Sequence, residues 1–174
     1  DVCKPEVAVN AAAKLVSDGV QMVVGHMCSG ATIAANKIYK DANILVISPS
    51  ATSDSLTLSG EHSNFFRTIS YDSAQAELMT SFVKNTLKAK SVALVHDKSD
   101  YGKGQMDLAK KFFEKMGGIE IVLYDGVSTG AFDYSAIVQK IKKSKAEVTM
   151  WGGYSSDGSK LITQIRKKKV KTIF

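Results

Sequence analysis

Cysteine and histidine are scarce in this sequence of 174 residues, which contains two cysteines and three histidines. Cys3 and Cys28 do not form a CxxC pair. Because cysteine and histidine supply most protein ligands to zinc, the sequence predicts no metal site, and we expect no cofactor. The residues alone leave three roles open for Cys28: a nucleophile beside His26 or His96, a buried thiol, or half of a disulfide in an oxidising compartment.

Long apolar runs are also missing, since none approaches the roughly 20 residues that a membrane-spanning helix needs. The first residues, DVCKPEVAVN, have neither the basic start nor the apolar centre of a secretory signal. We therefore expect a chain that is cytosolic, already processed, or a piece of a longer protein.

Motifs for nucleotide phosphates are incomplete. The segment HDKSDYGKGQ, residues 96–105, contains GxG but not GxGxxG, and no Ser or Thr follows its GK pair. The carboxylates show no obvious acid/base pair. A phosphate-using α/β enzyme is therefore the weaker of the possible functions, and we expect no enzymatic activity.

Charge is unevenly distributed in this chain of formal charge +6, because residues 1–70 carry −1 and residues 71–174 carry +7. The lysines cluster as KKSK at 142–145 and as RKKK at 166–169, each near the end of a predicted helix and without interleaved aromatics. Cations at helix C-termini complement the helix dipole and face solvent. We therefore expect no nucleic-acid partner.

Apolar periodicity alternates between the patterns of helices and strands. It predicts helices at 5–17, 30–41, 73–88, 102–116, 134–144 and 156–168. It predicts strands at 20–24, 44–48, 65–68, 91–96, 119–124, 147–151 and from 170 to the chain end, with a loop at 49–64. Short, continuous apolar strands separated by amphipathic helices indicate parallel sheets covered on both faces. Because the pattern restarts after a break at 65–73, where the charge balance also changes, we predict two α/β units joined there.

Ligands of such sheets bind at the carboxyl ends of the strands, where loops and helix N-termini meet. Ser29 follows the first strand and is predicted to be an N-cap; with the free N–H groups there, its hydroxyl would form an anion site suited to a carboxylate. Thr52, after the second strand, could donate to an anion or accept from a cation. Tyr101 and Tyr154 follow strands in the second half and would give a pocket an apolar end.

Several motifs of this chain occur together in a known family. They are GHMCS at 25–29, ISPSAT at 47–52, FFRT at 65–68 followed by DSAQ, HDKSDYGKG at 96–104, FDYSAIVQKIK at 132–142 and WGGY at 151–154. In this order they resemble the leucine/isoleucine/valine-binding proteins, the periplasmic substrate-binding components of ABC amino-acid importers. The resemblance covers essentially the whole chain. It implies a type I periplasmic binding fold of two doubly wound parallel-sheet lobes, with 1–69 as part of lobe one, 70–174 as most of lobe two, and both ends incomplete.

The resemblance also implies roles for individual residues. A disulfide would join Cys3 to Cys28. Ser29 would hold the ligand carboxylate, Thr52 would contact the head group, and the Ser50 carbonyl would accept from the ammonium. The implied ligand-binding residues are Met27, Cys28, Ser29, Ser50, Ala51, Thr52, Tyr101 and Tyr154.

The implied function is capture of a branched-chain or related amino acid in a cleft between the lobes, followed by delivery to the membrane permease of an ABC importer. Hinge closure would be driven by the ligand's higher affinity for the closed state. We expect a periplasmic protein that is a monomer when full length. The alternative from another functional class is a small-molecule sensor domain of the same fold, which would be fused to an output segment.

Overall fold

The computed structural model describes residues 1–174 and divides into two compact units, Asp1–Asp72 and Ser73–Phe174. Each unit contains a three-stranded sheet, and every strand pair is parallel. The predicted α/β class with parallel sheets is therefore confirmed. The assignment of 1–69 and 70–174 to two lobes stays a prediction.

The first unit alternates helices and strands in the predicted order. Its elements are α1 (Pro5–Ser17), β1 (Met22–Val24), α2 (Ser29–Asp41), β2 (Leu45–Ser48), α3 (Ser55–Leu58) and β3 (Phe65–Arg67). Pro5 opens α1, where its missing N–H costs nothing. Gly19 follows the end of α1 with a φ of 75°, a left-handed conformation that glycine adopts without a steric penalty.

The sheet of the first unit, in the order β1-β2-β3, is covered on one face only. Val23, Val46 and Phe65 lie side by side in register and are buried. The opposite face carries exposed apolar side chains, among them Val24 at 74% and Leu45 at 38% exposure. The expectation of two covered faces is therefore wrong for this unit, because an apolar run records only that a strand is apolar and not what lies against it.

The second unit forms a sheet in the order β5-β4-β6, with β4 at its centre. Its elements are α4 (Asp72–Ser81), which begins at the last residue of the first unit and continues as a π-helical turn (Phe82–Thr86), β4 (Ser91–His96), α5 (Asp100–Met116), β5 (Glu120–Gly126), α6 (Ser135–Ser144), β6 (Val148–Gly152) and α7 (Ser155–Lys167).

Two apolar clusters bury both faces of this second sheet. Leu94 of β4 belongs to a cluster with Met106 and Phe113 of α5. The neighbouring Val95 points the other way, into a cluster with Ile137 of α6 and Leu161 of α7. Successive strand residues therefore enter opposite layers, as the alternation of a β-strand requires, and the unit is doubly wound.

Three predicted elements differ from those observed. The predicted loop 49–64 contains the single turn α3, held by the buried Leu56. The helix predicted at 73–88 changes to π-helical geometry at Phe82. The strand predicted at the chain end is reduced to one bridge between Ile173 and Val148. Each difference concerns a short segment, whose structure depends on its neighbours more than on its own periodicity.

Two glycines allow α5 to approach β6 closely. A Cβ atom on Gly102 would lie 2.7 Å from the carbonyl carbon of Gly152. The GxG of residues 102–104 thus has a packing role at its first glycine.

No helix of the protein combines the length and apolarity that crossing a bilayer requires.

Candidate functional site

The loops that follow β1 and β2 are joined by the hydroxyl of Ser48. This buried group donates to the His26 carbonyl at 2.6 Å, and it accepts from the backbone N–H groups of Ala51, at 2.9 Å, and Ser50, at 3.2 Å. The carboxyl ends of two paired parallel strands therefore form one connected surface, as predicted.

Ser29 is the first residue of α2 rather than its N-cap. Cys28 occupies the cap position, and no side chain caps the helix, so the predicted capping role of Ser29 is wrong. Its hydroxyl instead accepts from the backbone N–H of Ser53 at 3.2 Å and is 2% exposed. Because a hydroxyl both donates and accepts, this bond leaves the Ser29 proton available to an acceptor.

Thr52 lies against Asp72, the residue that opens α4. The backbone N–H of Asp72 donates to the Thr52 carbonyl at 2.9 Å. Both side chains are buried, and neither Oγ1 of Thr52 nor Oδ1 of Asp72 has a hydrogen-bond partner of good geometry. Burial raises the pKa of the Asp72 carboxyl, and the neighbouring Thr52 hydroxyl opposes this effect.

Arg67 fixes the loop that contains Thr52. Its guanidinium donates to the carbonyls of Ala51, at 3.2 Å, and Ser53, at 3.0 Å, and also bonds the Thr57 hydroxyl. Sequence reasoning did not single out Arg67 or Asp72, although both lie in or beside the FFRT and DSAQ motifs.

A disulfide joins Cys3 to Cys28, with 5.3 Å between the Cα atoms, so the implied pairing is confirmed. Next to it, Nδ1 of the buried His26 contacts the carboxylate of Asp1, while Nε2 lies 3.1 Å from the Tyr39 hydroxyl. The thiol roles considered for Cys28 are therefore wrong. Cys28 instead ties the chain start to the loop that carries Ser29.

Tyr101 and Tyr154 meet in the second unit. Their ring centroids are 5.5 Å apart, with the planes inclined by 36°. Tyr101 lies in the first turn of α5, and Tyr154 is the N-cap of α7. Both rings therefore stand at the carboxyl edge of their own sheet, as predicted.

Asp97 organises this edge. Its carboxylate accepts from the backbone N–H of Ser99 at 2.9 Å, from the Ser99 hydroxyl at 2.5 Å and from the backbone N–H of Tyr154 at 3.3 Å. The Ser99 hydroxyl in turn caps α5 by accepting from Gly102 at 3.0 Å. One buried carboxylate thus holds the starts of both helices that carry the tyrosines.

Asp157 has a similar role in the first turn of α7. It is buried and accepts from the Tyr134 hydroxyl at 2.7 Å and from the backbone N–H of Gly130 at 3.1 Å. Burial raises the pKa of Tyr134 to about 12, and the bond to Asp157 adds to this shift.

The predicted site residues thus form two groups, each within one unit. The first unit brings together Cys28, Ser29, Ser50, Ala51 and Thr52, with the exposed Met27 beside them. The second unit brings together Tyr101 and Tyr154. The supporting carboxylates, Asp72, Asp97 and Asp157, were missed, since a lone Asp near a helix start normally signals only a helix N-terminus. No group of three or more His, Cys, Asp or Glu side chains is placed to hold a metal ion.

Comparison with known proteins identifies the family of this chain. The model of the family "Periplasmic binding protein" matches residues 1–173. The leucine-specific-binding protein of Salmonella typhimurium is 38% identical over 100% of this chain and 47% of its own length. The chain therefore spans about half the length of this curated relative.

Solved structures show the same fold. LivJ of Streptococcus pneumoniae, a branched-chain amino-acid transporter substrate-binding protein in complex with isoleucine, is 31% identical with a TM-score of 0.83, over 97% of this chain and 47% of LivJ. A type 1 periplasmic binding protein of Bordetella pertussis is 23% identical with a TM-score of 0.87, over 99% of this chain and 47% of its own, and shows the fold alone. The chain belongs to the periplasmic binding protein family, and its resemblance to the leucine/isoleucine/valine-binding proteins is confirmed.

Proposed function

We propose that this chain is part of a substrate-binding protein that captures a branched-chain or related amino acid and delivers it to the permease of an ABC importer. The observation that carries the proposal is the Ser29 hydroxyl. It accepts from Ser53 and keeps its own proton for a ligand, at the first residue of a helix.

A carboxylate suits this position for two reasons. The first N–H groups of α2 have no partners within the helix, and the helix dipole favours negative charge there. The Ser29 proton adds a donor whose oxygen is fixed by the Ser53 N–H. The relatives support an amino acid as the source of the carboxylate, because they are named for leucine binding or hold isoleucine.

The remaining ligand groups have candidate partners among the predicted residues. Thr52 and the Ser50 carbonyl would accept from the ammonium. Tyr101 and Tyr154, whose rings contact each other, would supply apolar surface for the aliphatic side chain. These assignments describe a binding protein without catalysis, since each residue holds a ligand group and none attacks one.

Residence in an oxidising compartment such as the periplasm is supported by the disulfide, because such bonds persist in oxidising compartments and are rare in the cytosol. Amino-acid capture outside the membrane would be followed by docking to a permease, in agreement with the family.

The test is calorimetric titration of the protein, with any flanking sequence that its gene encodes, against leucine, isoleucine and valine. We expect micromolar or tighter binding of at least one of them. Ser29→Ala should weaken binding by about 10- to 100-fold, which corresponds to losing one hydrogen bond to a charged group.

Ser17→Ala is the matched control, because Ser17 is exposed at the end of α1 and its hydroxyl bonds only the nearby Lys14 carbonyl. It should leave the affinity unchanged. Glutamine and ATP serve as ligand controls. Absence of aliphatic amino-acid binding, or preferential binding of ATP, would refute the proposed function.

A further inference from the structure

Asp72 is a buried carboxyl group that the proposed carboxylate site does not use. It is 2% exposed, and its Oδ1 lacks a hydrogen-bond partner of good geometry. Buried polar atoms are almost always partnered in proteins, so such an atom calls for an explanation. Oγ1 of the adjacent Thr52 is buried and unpartnered in the same way.

The backbone holds these two groups together. Asp72 donates its N–H to the Thr52 carbonyl at 2.9 Å, and the Thr52 hydroxyl lies near enough to lower the pKa of the Asp72 carboxyl. The other charged groups that act on this carboxyl are Asp54 and Arg67. Arg67 already donates to three oxygens of the 51–57 segment. The structure therefore gives the Asp72 carboxylate no dedicated ion pair.

We propose that Asp72 is a positioning residue for the ligand ammonium, acting through Thr52. When the ligand binds, the carboxylate accepts the Thr52 proton and turns the lone pairs of Thr52 Oγ1 toward the ammonium. Its negative charge also favours a cation beside Thr52, since a charge in a buried position is poorly screened. This inference rests on the proposed amino-acid binding and assigns that site an acidic group within the first unit.

The arrangement predicts opposite effects on binding and stability. Burial raises the pKa of Asp72 above its ordinary value. A raised pKa means that the contribution of this group to stability is present below the unfolded pKa, of about 4, and is lost as the pH rises through the folded value. An ionised Asp72 therefore strengthens ligand binding and lowers the stability of the folded protein.

The experiment measures leucine affinity from about pH 4 to about pH 7. The proteins compared are the wild type, Asp72→Asn, Thr52→Val and the double variant. Asp72→Asn should weaken leucine binding about tenfold or more at neutral pH, as expected when a hydrogen bond to a charged group is lost. The wild type should lose affinity as the pH falls, starting above the ordinary Asp range, and Asp72→Asn should lack this dependence. In the Thr52→Val background, Asp72→Asn should have little further effect.

Asp41→Asn is the matched control, because it also removes one negative charge from the first unit but from an exposed pair with Lys37. Its affinity and pH profile should match the wild type. Asp72→Asn should unfold at the same or a higher urea concentration than the wild type at neutral pH.

Unchanged leucine binding in Asp72→Asn, or losses that add in the double variant, would overturn the role of Asp72. A binding loss that merely follows a loss of stability would overturn it as well. Failure of the wild type to bind leucine would instead refute the proposed function, so the two failures are distinguishable.

Discussion

The central strands of the two units are similar in sequence but different in environment. The strand β4 is flanked by helices on both sides, and Val92, Ala93, Leu94 and Val95 are fully buried. In β2, Val46 is fully buried while its neighbour Leu45 is 38% exposed. Both segments nevertheless read as continuous apolar runs.

This difference shows that an apolar strand sequence is suited to burial on both faces but does not establish that both faces are buried. Parallel sheets normally have both faces covered, and the second unit follows this rule. The first unit presents Met22, Val24 and Phe66 to solvent on one face of its sheet. Large apolar residues on the two sheets therefore contribute unequally to stability.

The largest expected contrast comes from the same substitution in the two central strands. Leu94→Ala should lower the free energy of unfolding by about 2–5 kcal/mol, because it leaves a cavity in a closed core. Leu45→Ala should cost less, about 1 kcal/mol, because this side chain is already 38% exposed and its truncation leaves no closed cavity. Urea unfolding followed by circular dichroism measures both. Equal costs would show that the exposed face of the first sheet is covered in solution.

The disulfide is expected to stabilise the first unit alone. Cys3→Ala/Cys28→Ala removes a cross-link between residues separated by 25 positions, and the chain-entropy model assigns such a loop about 3 kcal/mol. Amide hydrogen exchange should show faster opening of β1 and β2, while β4 keeps its protection. Reduced wild-type protein is the control and should behave like the double variant. Equal loss of protection in both units would contradict the prediction.

Glycine positions in α5 provide the smallest and most local contrast. Gly102→Ala should destabilise the second unit by about 1–3 kcal/mol, because its Cβ would press on the backbone of Gly152. Gly104→Ala lies in the same helix with nothing within 4 Å. It should stabilise the helix by up to about 1 kcal/mol. Thermal unfolding of both variants is the measurement, and the same sign for both would refute the packing role of Gly102.

Much of the fold could be predicted because its elements carry strong local signals. The amphipathic pattern of residues 102–116 locates α5, and Pro5 marks the first turn of α1. The start of α5 was placed two residues late, since the capping bond of Ser99 depends on the geometry of the turn. Whether other elements pack on a face of a sheet is a tertiary property, so the residue pattern of β2 alone does not predict it.

The site was predicted unevenly for a similar reason. Hydroxyls and tyrosines at strand ends could be located from the sequence, because parallel sheets bring strand ends together. The carboxylates of Asp72 and Asp97 could not, since their importance lies in burial and in partners from other elements. The contact between Asp97 and Tyr154 joins positions 57 residues apart, which is beyond the reach of local periodicity.

The bonds that connect the two loops of the first unit have a consequence for protein engineering. Ser48 reaches His26 across 22 residues, and Ser53 reaches Ser29 across 24 residues. Since all four residues lie within residues 26–53, which comprise α2, β2 and the loops before and after them, this part of the proposed site is encoded by a contiguous stretch of the gene. We therefore expect that this stretch can be transplanted between related proteins as a single cassette, with its internal hydrogen bonds intact.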